Sequence, residues 1–363
     1  MNYTKLGNFE AVCLLTVLFI NHIVLNLPQM ILDNSGTSSV LNVVYIIALA
    51  LIFVVIILKL LKNFLGLDII DISEYLGGKF LKVAVGILCI IYLIMEAAFL
   101  TRMFSKNLLL VYFQNYPVAF IVFLFLFIAV VANIFGRKSI IKSNTIIVPI
   151  ALLSIFITSI FVIDLLKFER SLPIFGNGAS QIFLSGASNL FAFNGLFFLF
   201  FISPMLEKKE NISKVAFSSI IISGILLLLS IITLVFAFSD IYTTIRISPI
   251  YYIIVNSRLG AFLERPEILF IFTWILALMS FLSIAVMYIL DIFRKITNSK
   301  EHRGLAACAC VLIFILAMCI NDVFTLEKVA NAFYKYGALV LIFGVFTVIL
   351  IGANIKKKLK KGD

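Results

Sequence analysis

Ten apolar stretches recur along this chain, at 9–31, 38–61, 82–105, 116–135, 143–165, 187–206, 214–239, 266–291, 304–321 and 334–354, the third running on toward residue 110. A bilayer core about 30 Å thick is crossed by a helix of roughly 20 apolar residues. Only helices and closed barrels satisfy their backbone groups there. The pattern therefore predicts an all-α integral membrane protein with ten transmembrane helices. The remaining composition leaves no room for a large soluble domain: 63% of the 363 residues are hydrophobic and 13% charged, against about 25% charged in soluble domains. The expected organisation is one membrane domain, 1–363, ending in a basic tail, 355–363. No Ala-x-Ala-like site follows the first stretch, so it is read as a retained span and not a signal peptide.

A net charge of +11 is compatible with nucleic-acid binding, but the basic residues lie mostly in short loops between spans. That distribution excludes nucleic acid as the partner and makes the lipid bilayer the surroundings. Most of the 29 Lys and Arg residues fall on one side if the N-terminus is cytoplasmic, and an even number of spans returns the C-terminus to that side. The tail Lys356-Lys-Lys-Leu-Lys-Lys361 is expected to rest against anionic headgroups. The loop at 66–80 reads as a short amphipathic helix in the cytoplasmic interface, with Ile69, Ile72 and Leu76 on one face and Asp71-x-x-Glu74 as a capping box.

Two spans carry polar groups near mid-depth and a proline further on. Span 1 holds Phe19-Ile-Asn-His-Ile-Val-Leu-Asn-Leu-Pro28, and span 6 holds Phe193-Asn-Gly-Leu-Phe-Phe-Leu-Phe-Phe-Ile-Ser-Pro204. Paired interruptions at corresponding positions of two halves point to a transporter-type binding site. The halves are 9–165 and 187–354, and five spans each makes the second inverted relative to the first. Pro28 and Pro204 are the expected helix breaks. Asn21, His22, Phe193, Asn194 and Gly195 are the expected pocket. His22 reads as a ligand contact, a proton carrier or a neutral interhelical partner. Glu96, mid-way along span 3, is costly in hydrocarbon and reads as a proton carrier, an amine partner or a buried protonated acid. Tyr92 shares its face. Arg102, six residues on, does not, and is expected near the outer interface. Ser280 and Ser283 in span 8 read as packing hydroxyls or as sodium ligands. The exterior segment 240–265 is long and aromatic enough to be a lid. The five cysteines lie in apolar segments, without metal or disulfide spacing. No phosphate loop, ligand cluster or paired nucleophile supports an enzyme, a metal site or a cofactor.

Ten spans, interrupted helices 1 and 6, and the runs Asp71-Ile-Ser-Glu-Tyr-Leu-Gly77, Leu172-Pro-Ile-Phe-Gly176 and Arg258-Leu-Gly-Ala-Phe-Leu-Glu-Arg265 resemble the spore-germination permeases. These are the B-type subunits of nutrient germinant receptors, in the amino acid–polyamine–organocation superfamily. The resemblance implies a leucine-transporter-type five-plus-five inverted repeat. It also implies a small nutrient ligand such as an amino acid, A-type and lipoprotein C-type partner subunits, and the spore inner membrane. The chain departs from the pattern twice: no glycine stands at the helix 1 break, and Leu196, not an acidic residue, follows Gly195. The second departure implies that a ligand amine is met elsewhere or is absent. An autonomous proton-coupled amino acid transporter and a scaffold subunit without a ligand are the alternative readings.

Overall fold

The computed structural model describes residues 4–25, 27–113, 115–173, 175–176, 178–237, 249–255, 267–299, 304–320 and 322–362. Among them are helices and no strand beyond one isolated parallel bridge, Leu6 with Leu206. Eight stretches are long and apolar enough to cross a membrane, and two shorter apolar helices complete a series of ten. Span 1 is α1 (Asn8–Val24) followed by α2 (Leu27–Ser35), and span 2 is α3 (Ser39–Leu61). The 43-residue α4 (Ile69–Val111) contains span 3. Spans 4 and 5 are α5 (Val118–Phe135) and α6 (Arg137–Ile160). Span 6 is scarcely α-helical: a π turn (Gln181–Ser185), a 3-10 run (Gly186–Phe198), one α turn, α7 (Leu199–Ile202), and a closing 3-10 turn (Ser203–Met205). Span 7 is α8 (Ile212–Ala237), followed by the short α9 (Pro249–Val255). Spans 8 and 9 are α10 (Glu267–Thr297) and α11 (Leu305–Cys319). Span 10 joins α12 (Val323–Ala332), π segments at Phe333–Gly337 and Leu339–Val345, and α13 (Phe346–Gly362).

Burial sorts these spans. The most apolar windows of spans 6 and 8 are each 67% buried inside the protein, against 28% for span 4 and 33% for span 2. Spans 6 and 8 are thus the axis of the bundle, and spans 2 and 4 turn much of their surface outward. α10 packs on α1, α4, α5 and α6, and α1 packs on span 6, α6 and α8. The phenylalanines at 197–201 that precede Pro204 are core, not lipid-facing.

One end of the bundle collects the basic loops. Lys295 at the end of α10 reaches Asp68 (2.5 Å) and Asp71 (2.6 Å) at the start of α4. Arg137 and Arg294 both pair with Asp291. The N-terminal segment joins the end of span 6, Leu6 N–H donating to Met205 O (2.8 Å) and Glu207 N–H to Leu6 O (3.0 Å).

The structure corrects two readings here. The short helix expected at 66–80 is the first part of α4, bent off at Gly77–Gly78, where Gly78 takes a φ of +69°. Asp68, not Asp71, is its N-cap, accepting from the N–H groups of Ile70 and Asp71 (3.1 Å each). Glu74 pairs with Lys82 instead. The tail lysines do not simply face headgroups. Lys356 donates to the Tyr75 and Leu76 carbonyls (2.8 and 2.9 Å), Lys357 donates to Asn63 O, and Lys356 and Lys360 lie over the Tyr75 ring. Cations at a helix C-terminus satisfy its orphan carbonyls and oppose its negative dipole end. The tail is therefore stapled to the protein.

Candidate functional site

The interruptions of spans 1 and 6 lie against each other. α1 ends at Val24; Leu25 leaves the helical region (φ −83°, ψ −93°) while its N–H still bonds Asn21 O. Pro28 is in the first turn of α2, where its missing N–H is no loss. It therefore starts the second half-helix just after the break. In span 6 the departure is at Phe193 (φ −96°, ψ 30°), inside a 13-residue 3-10 run. Such runs rarely exceed 3–4 residues, and a long one marks strain or a hinge. Pro204 sits in the closing turn, so it ends span 6 and does not interrupt it.

Between the breaks, three side chains from three spans converge. His22 Nε2 lies 2.5 Å from Glu96 Oε1. Asn194 Nδ2 lies 2.9 Å from His22 Nε2 and donates to Glu96 Oε1 at 3.0 Å. The contact needs one proton: an Nε2–H imidazole donates it to an ionised Glu96, or a protonated Glu96 donates it to a bare Nε2. Glu96 is fully buried, and Asn194 and His22 nearly so. An isolated buried carboxylate would cost far more than its hydrogen bonds return; contact with an imidazole and an amide is what makes Glu96 tolerable here.

The cluster is walled by aromatic rings. Tyr334 from the π segment of span 10 meets the His22 ring edge-on, centroids 4.7 Å apart. Tyr92 stacks on Phe197 at 5.2 Å and leans on Phe333 at 5.5 Å. Phe193 meets Phe19 edge-on at 5.7 Å. Gly195 lies beneath Phe19: a Cβ there would fall 2.8 Å from the ring edge. The tyrosine hydroxyls lie within electrostatic reach of Glu96, and the Tyr92 hydroxyl also approaches the Asn194 amide, though not closely enough to close a hydrogen bond. Four polar atoms of this cluster make no closed hydrogen bond: Glu96 Oε2, Asn194 Oδ1 and the Tyr92 and Tyr334 hydroxyls. Each such buried group costs about 1–3 kcal/mol.

Of the residues expected in the pocket, His22, Tyr92, Glu96 and Asn194 come together, with Phe193 and Gly195 at their margin. Asn21 does not join them. Its Nδ2 donates to Val17 O and, across to span 8, to Ala277 O (2.9 Å each), so it pins α1 to α10. Ser280 donates to Asn144 Oδ1 and Ser283 to Met279 O (2.8 Å each), which is the packing role. Arg102 is buried at α11, donating to Met318 Sδ. Tyr334 escaped the sequence reading; a tyrosine at the edge of an apolar stretch carries no polar signal of its own. Most of 240–265, with the Arg258–Arg265 run, and His302 lie outside the described residues. Among the described residues no three His, Cys, Asp or Glu side chains gather as metal ligands, and the five cysteines are unpaired.

Ile23, Thr158, Ser230, Thr233 and Phe270 line a cavity of about 10 Å³ between spans 1, 5, 7 and 8, room for about one water.

Residues 5–325 match the family described as "Spore germination protein". Spore germination protein B2 of Bacillus subtilis (strain 168) is 24% identical over 274 residues, which are 74% of each chain. Among solved structures, MhsT in complex with L-phenylalanine aligns with a TM-score of 0.73 at 14% identity, over 96% of this chain and 89% of that one. A Na+-coupled sialic acid symporter in a substrate-bound outward-open state aligns at 0.61 and 11% identity, over 95% and 75%. A manganese transporter of Eremococcus coleocola aligns at 0.57 and 12% identity, over 94% and 75%. These likenesses establish the leucine-transporter-type fold.

Proposed function

The chain belongs to the spore-germination permease family, and from that premise we propose that it is the nutrient-sensing membrane subunit of a spore germinant receptor. A small nutrient, an amino acid, binds where spans 1, 3 and 6 meet, and its binding triggers germination. The observation that carries this reading is the His22–Glu96–Asn194 cluster. It joins two helix interruptions through a fully buried carboxylate and holds four polar atoms without partners. Single open atoms occur elsewhere in the core, on Asn21 and Asn144 for example, but among the described residues only here do four gather around one carboxylate, as a polar ligand would require. The aromatic wall supplies the apolar enclosure that a small ligand needs. The subunit acts with A-type and lipoprotein C-type partners in the spore inner membrane, its two five-span halves spanning 9–165 and 187–354. Both termini face the cytoplasm, with the basic end of the bundle.

Gly195→Ala tests the site. A Cβ at 2.8 Å from Phe19 forces that ring, which packs edge-on against Phe193, to move. The variant should reach the membrane at normal level and lose nutrient binding and germination. Wild-type binding in this variant would place the pocket elsewhere. Cysteine accessibility at Lys361 and near Gly178 should report opposite sides of the membrane.

A second reading has its own support. A buried imidazole and carboxyl 2.5 Å apart are a pair that a proton-coupled amino acid transporter could use to carry its proton. Uptake into vesicles by the chain alone, driven by an inward proton gradient, would favour it over a sensing role.

A further inference from the structure

The polar atoms of the central cluster divide unevenly between donors and acceptors. His22 Nε2 and Asn194 Nδ2, its nitrogen groups, are both turned to Oε1 of Glu96. The atoms left over are oxygens: Glu96 Oε2, Asn194 Oδ1 and the hydroxyls of Tyr92 and Tyr334. The first two can only accept while Glu96 is ionised, and a hydroxyl can do either. The arginine of the same span, Arg102, turns away to Met318 Sδ on α11.

We infer that this cluster receives the primary ammonium of the ligand, with Glu96 Oε2 and Asn194 Oδ1 as its acceptors and the Tyr92 and Tyr334 hydroxyls closing the shell. The inference rests on the proposal that a nutrient binds between spans 1, 3 and 6. An ammonium brings three donors and one positive charge. It meets oxygens that have no other partner and a carboxylate already buried. A ligand carboxylate placed here would instead set a second negative charge against Glu96. Span 6 carries Leu196 after its glycine, so it offers no acid of its own; Glu96 reaches the same place from span 3. The orientation follows: the amine end of the ligand lies at Glu96, and its acidic end points away.

The test uses the full chain in nanodiscs and the twenty standard L-amino acids. Each binder is compared with its decarboxylated amine and its deaminated acid. The amine should keep measurable binding, and the acid should lose about 10- to 100-fold, the loss of charge-assisted hydrogen bonds. Glu96→Gln should weaken the amino acid to a similar degree and remove the preference for the amine. Tyr334→Phe keeps the ring against His22 and should cost about 2- to 10-fold, one neutral hydrogen bond. If an amino acid binds and Gly195→Ala abolishes it, yet the deaminated acid binds equally well and Glu96→Gln is silent, the nutrient site stands and the ammonium assignment falls. Ordered water would then satisfy these oxygens. If no amino acid binds, the nutrient-site reading fails and the ammonium assignment fails with it.

Discussion

Asn189 and Asn194 stand five positions apart in span 6, both buried, and their surroundings could hardly differ more. Asn189 closes its bonds at both ends: Oδ1 accepts from Asn34 (2.8 Å), and Nδ2 donates to Ser35 Oγ (3.2 Å) and Asn42 Oδ1 (2.7 Å). Asn42 is equally complete, donating to Ile182 O at 2.8 Å. Asn194 bonds through Nδ2 alone, and Oδ1 is left over. A saturated buried network fixes the elements that meet there, whereas an unsaturated one is costly unless another molecule completes it. The network around Asn189 ties α2, α3 and the start of span 6 into one block. The central cluster, at the departure from helix in the same span, is where that block meets spans 3 and 10. The two asparagines therefore separate holding from receiving.

The largest effect should come from breaking the holding end. Asn189→Ala removes three hydrogen bonds and leaves Asn34 and Asn42 underbonded in a buried site. A cost of about 2–4 kcal/mol follows from about 1 kcal/mol per bond plus the stranded partners. Thermal unfolding in detergent should show a clear loss of stability, with a smaller change in nutrient affinity for the protein that remains folded. A large loss of affinity at unchanged stability would reverse the roles assigned to the two asparagines.

Asn194→Ala should invert that pattern. The side chain already lacks one partner and His22 still holds Glu96 Oε1, so the loss of stability should be the smaller of the two, about 1.5 kcal/mol for one hydrogen bond to a charged group. Nutrient affinity should fall by up to about tenfold for each hydrogen bond lost to the ligand. Measured beside Asn189→Ala, at matched protein level, the two variants should lie on opposite corners of a plot of stability against affinity. Equal loss of stability in both would mean that the central cluster is structural.

Only the receiving side of this contrast was legible in the chain, because hydrocarbon makes polar residues rare enough to count; Asn189 and its partners Asn34 and Asn42 were not singled out. The ten apolar stretches gave the all-helical membrane class, and the leucine-transporter-type fold came from the family resemblance. His22, Glu96 and Asn194 stood out because a polar group in such a stretch needs a reason. Direction was harder to read. Asn21 and His22 are neighbours in sequence, but neighbours on a helix point about 100° apart. One reaches the cluster and the other reaches Ala277 in span 8. Pro28 lies beside the break it signals, whereas Pro204 only ends its span. The break at Phe193 leaves no proline at all, since a 3-10 run held by tertiary packing has no residue signature of its own. Tyr334 comes from span 10, far along the chain, and only folding brings it to His22.

A third polar group sharpens the comparison by separating saturation from charge. Asp68 has its hydrogen bonds closed, by Ile70 N–H, Asp71 N–H and Lys295 Nζ. It is nevertheless a buried charge between spans, and burial pushes its carboxyl from 3.8 up to about 6; Lys295 pulls it down, and the nearby Asp71 charge raises it. A carboxyl raised on folding binds its proton more tightly in the folded state. Its contribution to stability is therefore fully present below about 3.8 and is lost as the pH rises through about 6. Between pH 7 and pH 5 this one group should add on the order of 1 kcal/mol to stability. Asp68→Asn keeps the N-cap, because Asn caps as well as Asp, and leaves Lys295 its bond to Asp71 at 2.6 Å. Thermal midpoints of the wild type and the variant, taken at pH 5, 6 and 7, isolate the term. The wild type should gain relative to Asp68→Asn as the pH falls, and the nutrient affinity of the two should match at every pH. A constant difference across that range would mean that Lys295 holds Asp68 ionised despite its burial. A divergence in affinity would tie the basic end of the bundle to the central cluster, and the clean division between holding and receiving would no longer stand.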